Sequence, residues 1–223
     1  TLFPYTTLFR SEINALQKAI DVTHQSLEEV LPLIPGLSFE YEVQAAIEYG
    51  FARRGAERMG FPSIVGAGKN ATYLHYEDNH GTLLAGDLLL MDIGAEWNYY
   101  SADISRTVPI SGKFSSEQSA IYQLVLDAQY AAIELVKPGT SWRIPHERAI
   151  EVITSGLVDL GLLEGDPTDL IQEKAYRKFF MQATSHWLGL DVHDAGGWVG
   201  DDGKPHIHKP GMVLTVEPGI YII

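Results

Sequence analysis

The stretch LLLMDIGAEW ends a run of apolar residues on a carboxylate, Asp92. A carboxylate in such a setting is costly to bury without a partner. Eleven residues on, Asp103 falls on what reads as the next strand. If the two strands pair, the carboxylates can face each other across the ladder. Two close carboxylates repel, so either one takes up a proton or a cation sits between them. A pair of solvated turn aspartates is the alternative that the pattern leaves open. Further along, SHWLGLDVHD carries His186 and His193, seven apart. That spacing is about two helical turns, but Gly189 and the β-branched residues fit a tight turn or strand equally well. TVEPGIYI then puts Glu217 at the end of another apolar strand, before a Pro-Gly turn. Two aspartates, a glutamate and a histidine form an oxygen-rich set with one imidazole. Such a set suits Mn²⁺ and other divalent ions better than a thiolate-loving metal. Bridging carboxylates are also the usual scaffold of two-metal hydrolytic sites, with ions about 3.5–4 Å apart.

The elements that must position these groups follow from periodicity. Ile13, Leu16, Ala19, Ile20, Leu27 and Leu31 have helical spacing, and Pro32 stops that helix. A second helix is expected from Ser38, as N-cap, through FEYEVQAAIEYGFARRG. GDLLLMDIGAEWNYYSADISRTVPI reads as two strands joined by a turn near Gly94 to Asn98, with Asp103, Ser105 and Thr107 on one face. Ser115-x-x-Gln118 matches a capping box, and Ile121, Leu124, Val125, Ala128, Ala132 and Leu135 then fall on one helical face, ended by Pro138-Gly139. A further helix is expected over 145–160, and KPGMVLTVEPGIYII reads as strand. Helices and strands mix without regular βαβ alternation, which predicts an α+β fold.

Bulk composition narrows the partners. A chain of 223 residues is long enough for a real core. A formal net charge of −13 argues against nucleic acid, since binding phosphates takes clustered Lys and Arg. There is no cysteine, which excludes disulfides and thiolate metal sites and suits a reducing compartment. No apolar run approaches the roughly 20 residues of a membrane span; LLAGDLLLMDIGA is broken by Asp87 and Asp92. With no basic stretch leading into an apolar core at the start, a cytoplasmic location is expected.

LLLMDIGAEWNYYSADISRTVPISGKF, SHWLGLDVHDAG and KPGMVLTVEPGIYI together resemble the catalytic domain of the Xaa-Pro aminopeptidases (aminopeptidase P). These belong to the pita-bread metallopeptidase family that also holds prolidase and methionine aminopeptidase. The resemblance runs from about Glu12 to the last residue. It implies a curved antiparallel sheet with helices on its outer face, and two divalent ions, Mn²⁺ first and Co²⁺ or Zn²⁺ as alternatives. By this likeness Asp92 is a ligand of one metal, Asp103 a carboxylate bridging both, and His186 and Glu217 ligands of the other. His75, in TYLHYEDN, matches a substrate-contacting histidine. His193 matches one that stabilises the tetrahedral intermediate. The implied reaction removes the N-terminal residue from peptides with proline in second position, by a hydroxide activated between two metals. The intact parent is then expected to be a homo-oligomer. Prolidase activity (an Xaa-Pro dipeptidase) and a non-catalytic binding module of the same fold are the alternatives. The family's fifth ligand, a glutamate on a later strand, has no counterpart before Ile223. Gln182 stands where the family usually has histidine.

TLFPYTTLFRS, the opening, follows neither a helical nor a strand period and carries no acidic residue. Back-translated with suitable codons it reads as a widely used sequencing-library adapter. The expectation is therefore that residues 1–11 are an artefact. Residues 12–223 would then be a catalytic domain truncated at its C-terminus and lacking an N-terminal domain, and this shortened chain would be inactive.

Overall fold

A computed structural model describes residues 9–222 of the chain. The reading of residues 1–11 as foreign falls, for residues 1–8, outside the described residues. The described part divides into two compact units. The first runs to Ser115 and takes in Leu188–Asp194. The second holds Ser116–Trp187 and Ala195–Ile222.

Helix α1 (Arg10–Val30) opens the first unit, and its first turn includes Arg10 and Ser11. It buries Leu16, Ala19, Val22, Leu27 and Val30. A 3-10 turn over Leu31–Gly36 follows, where Pro32 and Pro35 deny further α-helical hydrogen bonds. Helix α2 (Glu40–Arg53) packs on α1 so closely that a Cβ on Gly50 would lie 2.7 Å from the Ser26 Cβ. Its N-cap is Phe39 rather than the expected Ser38. The cap is made in reverse: the Glu42 carboxylate accepts the backbone N–H groups of Ser38 at 2.6 Å and Phe39 at 3.0 Å. This satisfies amides that the helix itself leaves open.

Six short strands follow: β1 (Arg58–Met59), β2 (Ile64–Ala67), β3 (Leu88–Ile93), β4 (Ala95–Trp97), β5 (Tyr100–Ser101) and β6 (Ile104–Pro109). They form two antiparallel sheets, ordered β1-β4-β5 and β2-β3-β6. Leu89, Met91 and Ile93 of β3 are fully buried against Val43, Ile47 and Phe51 of α2 and Val22 of α1. Each such side chain contributes roughly 1.5–3 kcal/mol. The hairpin turns at Asn98 and Tyr99, both at positive φ (49° and 70°), later than the expected 94–98. A two-residue loop of that hand matches the right-handed strand twist. Thr23 ties helix to hairpin: its hydroxyl donates to the Ala19 carbonyl at 2.8 Å and accepts the Ala95 N–H at 2.9 Å.

The second unit is mainly helical: α3 (Ser116–Ile133), α4 (Arg143–Asp159) and the short α5 (Pro167–Gln172). Ala128, Ala132, Ala149, Ile153 and Leu157 are fully buried between α3 and α4, with Phe179 and Phe180 closing that core. Among the described residues KPGMVLTVEPGIYI forms no laddered strand, contrary to expectation. One bridge joins Leu214 to Trp187. The amide of Thr215 also donates to the His186 carbonyl, that of Glu217 to the Thr184 carbonyl and that of Tyr221 to the Phe179 carbonyl. Pro210 and Pro218 supply no donor, and the adjoining glycines loosen the chain, so pairing stays intermittent. No described helix is long and apolar enough to cross a membrane.

Candidate metal centre

In the first unit the register places Asp92 opposite Ser105 and Ile93 opposite Ile104. Ala102 donates to the Ala95 carbonyl, so the same register runs on past Gly94. By the period of two, Asp103, Ser105 and Thr107 share the face that carries Asp92. The aspartates are therefore diagonal neighbours rather than directly opposite, a spacing of about 7–8 Å between backbones. Along β3 burial alternates: Leu89, Met91 and Ile93 point into the core, and Leu88, Leu90 and Asp92 are half-buried on the other side. The apolar run before Asp92 alternates its faces, and the carboxylate lies on the half-buried one, with its Oδ1 shut off from solvent.

Two of this unit's exposed imidazoles lie near each other. His75 and His193 have ring centroids 6.2 Å apart. His75 is one of the few non-glycine residues at positive φ (55°), a conformation that costs energy and clusters at functional sites.

In the second unit His186 and Glu217 meet, with His186 Nε2 3.0 Å from Glu217 Oε1. No helix spans 186–193; His186 sits beside the Trp187 bridge, so the turn-or-strand alternative holds. His186 Nδ1 lies 2.9 Å from the Trp187 carbonyl oxygen. A carbonyl only accepts, so Nδ1 carries the proton, and Nε2 faces the Glu217 carboxylate. Two electron-rich atoms at that distance call for a proton or a cation between them. Orientation of a ligating imidazole by a hydrogen bond from its other nitrogen is the usual arrangement at metal sites.

Thr215 was not singled out in the sequence, yet it holds this pair. Its hydroxyl accepts the His186 N–H at 3.0 Å and donates to Glu217 Oε1 at 2.8 Å. The signal was there: a hydroxyl two residues before Glu217 shares its face in an extended chain. Gln182 also grips the segment, donating to the Glu217 carbonyl at 3.1 Å and accepting from the Tyr221 hydroxyl at 2.7 Å.

Behind them stands His146 of α4, with Nδ1 2.7 Å from the Thr184 hydroxyl and its ring edge-on to Phe180 at 5.7 Å. Burial pushes the His146 imidazole below its ordinary value. Burial moves His208 the same way. As pH falls, the unfolded chain binds these protons first. The stability contributed by the neutral rings is full above about pH 6.5 and is lost as pH drops through and below it. Thermal unfolding at pH 5 is expected well below that at pH 7, and His146→Gln should shrink the difference without removing it. An equal pH effect in the variant would count against this assignment.

Residues 14–223 match the model of "Metallopeptidase family M24". The Xaa-Pro aminopeptidase of Haemophilus influenzae is 47% identical over 212 residues, covering 95% of this chain and 49% of that protein. That of Escherichia coli is 44% identical over 218 residues, covering 96% and 49%. Among solved structures, the aminopeptidase PepP of Pseudomonas aeruginosa superposes with a TM-score of 0.93 at 43% identity, covering 98% of this chain and 49% of that one. Zn-substituted E. coli aminopeptidase P in complex with product does so with 0.93 at 42%, with the same coverage. The α+β pita-bread expectation agrees with these matches. The chain spans about half the length of the curated relatives it matches.

Proposed function

The chain belongs to metallopeptidase family M24, and from that premise we propose that the protein carrying it removes the N-terminal residue from peptides with proline in second position. The observation that carries the reading is the His186–Glu217 pair, two ligand-type atoms 3.0 Å apart with the second imidazole nitrogen already committed. The aspartates sharing one face of the hairpin support it. The donor set fits hard or borderline divalent ions: carboxylates and one imidazole, with no thiolate. Asp92, Asp103, His186 and Glu217 are the residues that would hold the ions, Asp103 being the one that would serve both, with Mn²⁺ as the first candidate. Bound ions of this kind polarise a scissile carbonyl and acidify an attacking water.

The chain's own residues have the remaining tasks. Thr215 holds the Glu217 carboxylate in one orientation. Trp187, through its carbonyl, holds His186 in the tautomer whose Nε2 can ligate. His75 and His193, exposed and near each other, are suited to gripping the peptide and donating a hydrogen bond to a carbonyl oxygen as charge develops on it. The aminopeptidase names of the relatives favour removal of one residue from longer peptides over cleavage of dipeptides alone.

The test is direct. Calorimetric titration with Mn²⁺ of the metal-stripped full-length protein that carries this chain is expected to show binding. The loaded full-length protein is expected to release the first residue of Ala-Pro-Ala but not of Ala-Ala-Ala, whereas the 223-residue chain by itself is expected to be inactive. If Mn²⁺, Co²⁺ and Zn²⁺ all fail to bind, the reading is wrong.

A further inference from the structure

Glu40 is a fully buried carboxylate of the first unit, 0% exposed. Four donors converge on it. Oε1 accepts the backbone N–H of Ala67 at 2.7 Å and the Asn70 amide at 2.9 Å. Oε2 accepts the Tyr76 hydroxyl at 2.9 Å and the backbone N–H of Gly81 at 2.6 Å. The Glu40 backbone N–H returns a bond to the Gly81 carbonyl at 3.0 Å. One side chain of α2 thus fastens the end of β2, the 3-10 turn over Gly68–Thr72, the residue after His75, and the far end of the loop.

From this convergence we infer that Glu40 is a positioning residue: it holds the 68–81 loop so that His75 is presented to the peptide. The inference rests on the peptidase reading for what His75 touches, and on geometry alone for what Glu40 holds. His75 and Asn79, at φ 55° and 49°, both sit in the left-handed region that non-glycine residues avoid. Such a backbone persists only where its surroundings over-determine it. Asn79 supplies the second fastening, buried at 2%. It accepts the Val65 N–H at 2.9 Å and donates to the Ser63 carbonyl at 2.7 Å and to Gln44 of α2 at 3.0 Å. Gly81 is required for the approach, because a Cβ there would lie 2.6 Å from Glu40 Oε1 and 2.5 Å from the Asn70 amide nitrogen. Burial first, then the bond to Glu40, raises the Tyr76 phenol above its usual value, so it stays a donor.

Glutamine cannot replace this glutamate. Ala67 and Gly81 offer backbone N–H groups to different carboxylate oxygens. Whichever way the amide of Glu40→Gln turns, its NH₂ meets one of them and a buried donor loses its acceptor.

The experiment compares wild type, Glu40→Gln, His75→Ala and the double variant. Amide exchange over 69–81 is expected to quicken by about tenfold or more in Glu40→Gln while β3 stays protected. KM for Ala-Pro-Ala, or Kd where turnover is too slow to read, should rise in both single variants. The double variant should lose little beyond His75→Ala alone, because both act through one side chain. A purely structural Glu40 would give effects that multiply, and that result would overturn the inference. So would unchanged exchange over 69–81. If Glu40→Gln does not fold, Gly81→Ala and the milder Tyr76→Phe serve in its place with the same expectations. If wild type neither binds nor cleaves the tripeptide, the peptidase reading fails. Exchange over 69–81 then decides for Glu40 by itself.

Discussion

Asp103→Ala is expected to abolish tight Mn²⁺ binding, while Asp92→Ala keeps one ion weakly bound. The difference follows from the proposed roles. A carboxylate that touches both ions removes a ligand from each when it is lost, whereas Asp92 serves one. Loss of a group that merely orients a ligand costs about 10–100-fold in metal affinity, and loss of a direct bridging ligand should exceed that. Stability gives a second, independent readout. An ion bound only by the folded wild type raises its stability by mass action. Mn²⁺ should therefore raise the melting temperature of wild type above its value in EDTA, and that of Asp103→Ala much less. Melting curves with and without metal test this directly. A variant that gains as much stability from Mn²⁺ as wild type does, or binds it as tightly, would remove Asp103 from the centre.

How far the site could be read in advance depends on how local each signal is. Asp92, Asp103, His75 and His193 each stand in a short stretch whose alternation or turn residues point to a face, and in the first unit the two histidines are exposed and the two aspartates half-buried. The α1 and α2 helices were readable because their apolar spacing is long and regular. The strand expected over KPGMVLTVEPGIYII is met only in part: Leu214 bridges Trp187, and Thr215 and Glu217 donate to the His186 and Thr184 carbonyls, without a laddered strand among the described residues. Thr215 and Glu40 were missed for another reason. Their work lies in partners far away in sequence: His186 is 29 residues from Thr215, and Gly81 is 41 residues from Glu40. An acidic residue in the first turn of a helix also has an ordinary explanation in the helix dipole. Only burial separates that explanation from the four-donor clamp.

Gly94→Ala should be strongly destabilising, since no other glycine whose surroundings the structure describes would bring a Cβ so close to a neighbouring atom. Gly94 lies between β3 and β4, two residues after Asp92, and its carbonyl accepts the Gly60 N–H at 2.9 Å. A Cβ at this position would lie 1.8 Å from the Ala102 carbonyl oxygen and 2.9 Å from the Phe61 ring. The first of these is backbone, so no side-chain rotation relieves it. The strand bearing Ala102 and Asp103 must move away from the strand bearing Asp92. Ordinary overpacking costs about 1–3 kcal/mol, and a clash against a laddered backbone should exceed that range. For a chain of this size each kcal/mol lowers the melting temperature by about 2–4 °C, so a drop on the order of 10 °C is expected. Gly36→Ala is the control: a Cβ there meets nothing within 4 Å, and its melting temperature should not fall. Because the strands carry the two aspartates, Mn²⁺ affinity should fall together with stability, even at temperatures where Gly94→Ala is still folded. A Gly94→Ala protein that melts with wild type would mean that the hairpin accommodates the methyl, and that the close strand contact does not set the spacing of Asp92 and Asp103.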